Sequence, residues 1–539
     1  MKATTDTVHE ELGVYQPPPR GWMRWLRRSL AVAILSVACL AFYMHVRVYW
    51  AWTEDDAFIT YRYSQNVVAG NGFVFNVDER VEAYSNFTWV LLGAAAIRSG
   101  MDPETLAKVI GLIVGLLCLP LAWLLVRQMC PRIGAVALLA PLYLAISPVL
   151  VQHSVAGLET SFFACVLCAA LVMAVGVRPG RVRSTAFVVL LLLIALSRPE
   201  GPLFAAVLLV FRNRICNRDW SGSEARHRAG VQVESAVFGI LFVAYYAWRW
   251  QYFDAAFPNT FFAKARGGFP GVVDGAQYTL DFMRDGGGVL FVALSLLPMV
   301  LRRGRPAYWT SLTVVVLYLA FIVAAGGDWM YHYRFFAHVL PILAALLTVG
   351  IDLILSYPRS GSLQAVLIHA TVALVLLATF VGMGNTELRV ARIVLPAVRS
   401  HNYLSQNYEE LGLWFRENTN AQATIAVSDV GAVGYFSERR ILDMFGLIDP
   451  HIARLQGRMH FKADPGYVLS REPDYIVLVS LNDQGAGYSF QRIPDYAMNA
   501  LREFHEQYDL IRKVPQHWHN EFVLVYRRRD ATGSSGGTM

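Results

Sequence analysis

RGWMRWLRRSLAVAILSVACLAFYMHVRVYWAWTEDD, residues 20–56, decides the fold. Arg20, Arg24, Arg27 and Arg28 precede a run from Leu30 to Tyr49, and three acids, Glu54, Asp55 and Asp56, follow it. About 20 predominantly apolar residues suffice for a helix to cross a bilayer, and short cytoplasmic flanks retain Lys and Arg. The stretch therefore reads as a first span entering from a basic cytoplasmic side and emerging at an acidic outer one. The run is too long for the apolar part of a signal peptide. Over the chain, 55% of residues are hydrophobic and 16% charged, far from the balance of a soluble domain.

Ten further apolar segments follow, at roughly 105–126, 133–148, 157–177, 185–197, 202–211, 232–250, 287–301, 308–325, 336–355 and 363–383. Phe87–Ile97 is apolar over half a span and reads as an interfacial helix. If eleven spans alternate from an inside N-terminus, the cytoplasmic loops are RQMCPR from Arg127, RPGRVR from Arg178, RNRICNRDWSGSEARHR from Arg212, RRGR from Arg302 and YPRSGS from Tyr357. All are basic, as the positive-inside rule requires. The outer loops are the acidic stretch, HSVAGLETS from His153, SRPEG from Ser197, FPNTFFAKARGG from Phe257 and GGDWMYHYRFF from Gly326. These carry the unusual polar residues.

The net charge of +7 invites a nucleic-acid reading, but the cations are scattered through short loops and form no stripe, so no nucleic-acid partner is expected. The six cysteines lie in or beside apolar runs without the partners of a zinc site, and read as packing residues. From about residue 385 the composition becomes mixed: ATIAVS, DYIVLVS and EFVLVYRR read as strands, NYEELGLWFREN as an amphipathic helix, and SDVGAVGYF as a strand end with a glycine turn. The expected organisation is a cytoplasmic segment 1–28, a transmembrane domain 29–384 with a first outer loop 51–104, an extracytoplasmic α/β domain 385–529 and a disordered tail 530–539.

In the first outer loop, Phe58, Tyr61, Arg62 and Gln65 recur at helical spacing and Gly70-Asn71-Gly72 stops the helix, so Asp55 and Asp56 sit at its start. Two carboxylates there can cap the helix and complement its dipole. Capping accounts for one of them. Acids, His, Arg and Lys converging at one end of a bundle also mark a site. Phe58, Tyr61, Tyr63, Trp329, Tyr331 and Tyr333 fit an interfacial aromatic belt.

Taken in order, EDDAFITYRYSQNVVAGNGFVFN, ERVEAYSNFTW, GLET, SRPEG, FPNTFFAK, GGDWMYHYRFF and SDVGAVGYF resemble the GT-C glycosyltransferases that use polyprenyl-phosphate sugars, above all the terminal β-(1→2)-arabinofuranosyltransferases of mycobacterial cell-wall synthesis. The resemblance runs from about Trp52 to Pro450. It implies a membrane α-helical bundle of GT-C type, about 11 transmembrane helices, with a small extracytoplasmic α/β C-terminal domain. It also implies transfer of a sugar, D-arabinofuranose first and mannose or another pentose behind, from a polyprenyl-phosphate donor to a cell-envelope glycan acceptor at the outer face of a bacterial inner membrane. A first-loop acid acts as base in such enzymes; it falls on Asp55 or Asp56, with Asp55 preferred. Arg198, Lys264, His332 and Arg334 are then candidates for the donor phosphate, and Glu159, Glu200 and Asp328 for orienting these cations or sugar hydroxyls. Arg62, Glu82, Tyr84, Asn86, His153 and Asn259 complete the substrate-binding set. Adjacent acids without D-x-D spacing assign no cofactor and no metal ligand, and leave a divalent cation open. The competing class is a transporter or flippase of lipid-linked sugars, which ordinarily places its polar site at the bilayer midplane.

Overall fold

The computed structural model describes residues 20–356 except 177–179, 219–223, 265–267, 286–287 and 302–303; scattered positions between 366 and 385; and 404–529 except 458–459, 482–487, 491 and 517–520. Helix α1 (Arg20–Tyr49) is the first apolar run, α2 (Asp55–Val68) the first-loop helix, α3 (Phe87–Arg98) the half-length apolar helix, and α4 (Pro103–Met129) the second long one. Gly70 and Gly72 both take positive φ, +84° and +86°, which ends α2 where only glycine is unstrained.

Among the described residues, Arg28–Tyr49, Pro103–Met129, Ala229–Phe253 and Pro306–Ala325 are long and apolar enough to cross a membrane. Shorter apolar helices cover Thr160–Gly176 and Leu340–Leu355. Helices also stand at 181–197, 201–218 and 288–300, so each of the first ten expected segments contains helix. The eleventh, 363–383, lies largely outside the described residues. Segment 133–148 is not one rod: a 3-10 turn and Leu139–Ile146 precede a break at Ser147, whose ψ of 114° is extended, and Pro148 opens a new short helix to His153. A residue before proline avoids helical geometry, which explains the break. Residues 336–355 break likewise, between Arg334–Ala337 and Leu340–Leu355. An unexpected amphipathic helix covers Gly268–Asp285.

The second domain opens with a helix at Leu404–Asn418 and builds one five-stranded sheet, ordered β2-β1-β3-β5-β4. Its strands are β1 (Thr424–Val427), β2 (Arg440–Asp443), β3 (Tyr475–Ser480), β4 (Tyr508–Gln516) and β5 (Glu521–Arg528). Strands β2, β1 and β3 are parallel, and β5 and β4 add antiparallel pairs. The chain leaves β1 for β2 on one side, then crosses to β3 on the other, which makes a topological switch point between β1 and β3. SDVGAVGYF is not a simple glycine turn, because a short helix, Gly431–Ser437, begins at its first glycine.

The sheet domain docks on the first loop and on the loop from Phe257 through buried polar pairs. Asn76 donates from Nδ2 to Ile441 O (2.8 Å) and accepts from Ile441 N (2.9 Å). Asn259 Nδ2 donates to Gly446 O and Leu447 O, both at 2.9 Å. Phe58, Tyr61 and Tyr63 are 0–2% exposed, so these three pack the interior of this region and do not form a belt. Phe58 packs on Phe436 (5.3 Å) and Tyr435 (5.7 Å), and Tyr61 donates to Gly157 O (2.9 Å). Each ring removed from water contributes on the order of 1.5–3 kcal/mol.

Candidate active site

The first-turn acids of α2 diverge. Asp55 points into the second domain, where Oδ2 accepts from Gly431 N and Oδ1 from Ala432 N, each at 2.9 Å. It thus caps a helix in another domain, while α2 itself has no side-chain cap hydrogen bond. Capping by Asp55 is an interdomain clamp, and the dipole of the Gly431 helix favours the acid at that end. Burial is the main force pushing the Asp55 carboxyl up to about 7; the neighbouring Asp429 adds to it and the two N–H donors oppose it. Glu54, buried and bonded by Trp52 Nε1 (3.0 Å), is likewise pushed up to about 7, first by burial.

Gly431 has no room for a side chain: a Cβ there stands 2.0 Å from Asp55 O and 2.6 Å from Asp55 Oδ2. Gly431→Ala is expected to pry the clamp open at a cost of about 1–3 kcal/mol, the usual range for overpacking. Limited proteolysis that releases the second domain faster than in wild type is the readout; unchanged proteolysis contradicts the clamp.

Folded Glu54 and Asp55 hold protons that the unfolded chain releases near pH 4, so their contribution is complete below that pH and lost as pH rises to about 7. The melting temperature of the detergent-solubilised protein should accordingly fall from pH 5 to pH 8. The fall should shrink in Asp55→Asn; a slope unchanged by that substitution contradicts the assignment.

Asp56 is different. Its carboxylate is 15% exposed and stands 3.4 Å from Lys264 Nζ, itself 36% exposed. Glu82, Glu159, Glu200 and Asp328 are 2–4% exposed, each locked to an arginine. Arg198 donates from Nη1 to Glu159 (2.7 Å) and from Nε to Glu200 (2.6 Å). Asn86 Nδ2 donates to the other Glu159 oxygen (2.8 Å), and Tyr318 OH to Glu200 (3.0 Å). Arg249 holds Glu82 bidentately, at 2.5 and 3.0 Å. Arg334 Nε donates to Asp328 (2.6 Å), within electrostatic range of Asp56, Arg198 and Glu159. Its loop carries two strained residues, His332 and Tyr333, at φ +53° and +52°.

The remaining predicted residues are held by neighbouring side chains and backbone. Arg62 is buried and donates to Phe75 O (3.3 Å) and Gln65 (3.2 Å). Tyr84 packs against Tyr63 (4.9 Å), His153 ends a fully buried short helix, and His332 bonds Gln152 through Nδ1. Asn259 belongs to the docking contacts above. Among the described residues, no group of three or more His, Cys, Asp and Glu side chains is arranged to hold a metal ion.

Sequence reasoning missed the second domain's share. Loops at the carboxyl ends of the parallel strands bring Asp429 (after β1) toward Asp55, with Arg492 (after β3) bonded to Asp429 and Phe445 (after β2) beneath Arg492. Asp429 accepts from Arg492 Nη1 and from Tyr408 OH (2.7 Å). His460 lies in the field of Asp429, Arg492, Asp56 and Lys264 together. The one signal within reach was SDVGAVGYF, which contains both Asp429 and Gly431. A separate polar cleft of about 600 Å³, lined by Asn76, Glu79, Asp449 and Tyr467, also touches Thr424 and Arg440 at the opposite ends of β1 and β2.

The fold is of the GT-C type, a helical bundle carrying a small sheet domain. ArnT from Cupriavidus metallidurans, solved bound to undecaprenyl phosphate, superposes with TM-score 0.54 at 13% identity, covering 94% of this chain and 99% of that one. The Archaeoglobus fulgidus oligosaccharyltransferase gives TM-score 0.52 at 13% identity, over 85% of this chain and 70% of the other. In sequence, the chain is 30% identical over 275 residues to the terminal β-(1→2)-arabinofuranosyltransferase of Mycobacterium tuberculosis, which is 48% of this chain and 42% of that protein. Residues 399–532 match a family model described only as a domain of unknown function, DUF8728.

Proposed function

We propose that the chain transfers a sugar, D-arabinofuranose, from a polyprenyl-phosphate donor to a hydroxyl of a cell-envelope glycan at the outer face of a bacterial inner membrane. The eleven-span topology, with the N-terminus cytoplasmic and the second domain outside, rests on the alternation of basic loops. Asp56 carries the reading: it is the first-turn acid of α2 whose carboxylate faces a partly exposed lysine, where the first loop meets the second domain. In the reaction the acceptor oxygen attacks C1 of the donor sugar and Asp56 takes its proton. The C1–O bond breaks with its electron pair going to the departing polyprenyl phosphate. Lys264 and, behind it, Arg334 face the charge that develops on that phosphate. Asp55 serves the same step indirectly, by fixing the start of α2 against the second domain. Relatedness to the mycobacterial arabinofuranosyltransferase supports the pentose.

The experiment is incubation of the purified protein with radiolabelled polyprenyl-phosphate arabinose and polyprenyl-phosphate mannose beside a mixture of cell-envelope glycans. Label is expected on glycan from the arabinose donor. Label from mannose alone overturns the choice of sugar, and label from neither overturns the reading.

A further inference from the structure

Open α/β sheets bind ligands outside the carboxyl ends of their parallel strands, at the switch point in strand order. Here that position lies between β1 and β3, and the Asp429–Arg492 ion pair spans it. Among the described residues Arg492 bonds Asp429 alone, through Nη1, so Nε–H and Nη2–H stay available on a side chain that is 21% exposed. Asp429 and Arg492 together offer acceptors and donors at no net charge. Beside them lies an aromatic column from both domains. The Arg492 guanidinium sits 5.9 Å over Phe445, Phe445 stacks on His460 (4.5 Å, 26°), and His460 meets Trp329 of the bundle loop edge-on (5.6 Å, 64°). Trp329 is 47% exposed, yet its neighbour in the column belongs to the second domain. An exposed indole at one end of the column and paired donors and acceptors at the other, two rings away, suit consecutive neutral sugars, whose apolar faces stack and whose hydroxyls need both kinds of partner.

We propose that Trp329, His460 and the Asp429–Arg492 pair form a glycan-binding subsite along which the terminal sugars of the acceptor lie, leading to Asp56. The subsite rests on the glycosyl-transfer reading and adds its specificity determinants: the acceptor is gripped by the seam between the domains, and the donor by the bundle side.

The test uses the full-length protein in detergent, with a synthetic arabinofuranosyl trisaccharide and a mannosyl trisaccharide as probes. Equilibrium binding of one trisaccharide should weaken at least tenfold in Trp329→Ala, whose exposed side chain can be removed without loss of core, and again in Arg492→Gln. In the transfer assay acceptor KM should rise correspondingly, with donor KM within twofold of wild type. Unchanged trisaccharide affinity in Trp329→Ala, a rise confined to donor KM, or no binding of either probe by wild type overturns the subsite. Transfer by wild type from the lipid donor judges the underlying reading separately, so the two failures are distinguishable.

Discussion

Asp56→Asn is expected to lower turnover by about 10² or more, the scale on which loss of a positioned general base acts. The substitution keeps size and hydrogen-bonding shape and removes the basicity. Lys264 is 36% exposed and gains solvent when its partner is neutralised, so folded yield and donor binding should stay near wild type. Asp55→Asn should behave differently. Its carboxylate accepts two backbone N–H groups, and an amide can accept only through its one oxygen, so the clamp loosens and activity falls together with thermal stability. Steady-state turnover beside melting temperature separates the two. Full activity in Asp56→Asn with a dead but well-folded Asp55→Asn reverses the roles given to the pair.

Arg198→Ala should cost about 3–5 kcal/mol of stability, because removing one partner of a buried ion pair leaves the other charge uncompensated. Here two carboxylates are stranded, Glu159 and Glu200, at 4% and 2% exposure, in a network that extends through Asn86 and Tyr318. Sequence alone puts Arg198 among the phosphate ligands. Its geometry gives it to the scaffold, since Nε and Nη1 are both committed to carboxylates. A well-folded Arg198→Ala with weakened donor affinity is the contrary result, read from detergent melting curves and lipid-donor binding.

These two predictions mark where sequence reading succeeds and where it stops. Local signals were sufficient for α2, because the 3.6-residue spacing from Phe58 and the glycines after Ala69 act within a few residues. They also served for β1, β3 and β5, whose alternation or burial is strong. Strand β2, four residues opening on Arg440, is too short to stand out, and β4, YDLIRKVPQ, is an edge strand with charges along it. The helix at 268–285 hides behind the turn signals of its own Gly-Phe-Pro-Gly start.

The site is less legible still, because its decisive contacts are non-local. Asp55 meets Gly431 across 376 residues, and Lys264 meets Asp56 across 208. Adjacent acids look equivalent in a sequence; a helix turns them by about 100° and hands one to each domain. Arginines in the loops beside the acids look like phosphate ligands until the fold reveals the carboxylates opposite them. Arg492 and His460 carry no motif of their own, and only the strand order that gathers their loops beside Asp429 gives them a shared address.

The most direct measurement follows both halves of a labelled donor through one turnover in proteoliposomes. The vesicles hold the purified protein with polyprenyl-phosphate arabinose labelled separately in sugar and phosphate, and acceptor glycan is supplied on the side facing the second domain. Stoichiometric appearance of glycosylated acceptor and free polyprenyl phosphate, slowed by about 10² or more in Asp56→Asn, is the predicted result. Movement of the intact lipid-linked sugar across the bilayer, with both labels still joined and no acceptor modified, identifies a transporter and contradicts glycosyl transfer at Asp56.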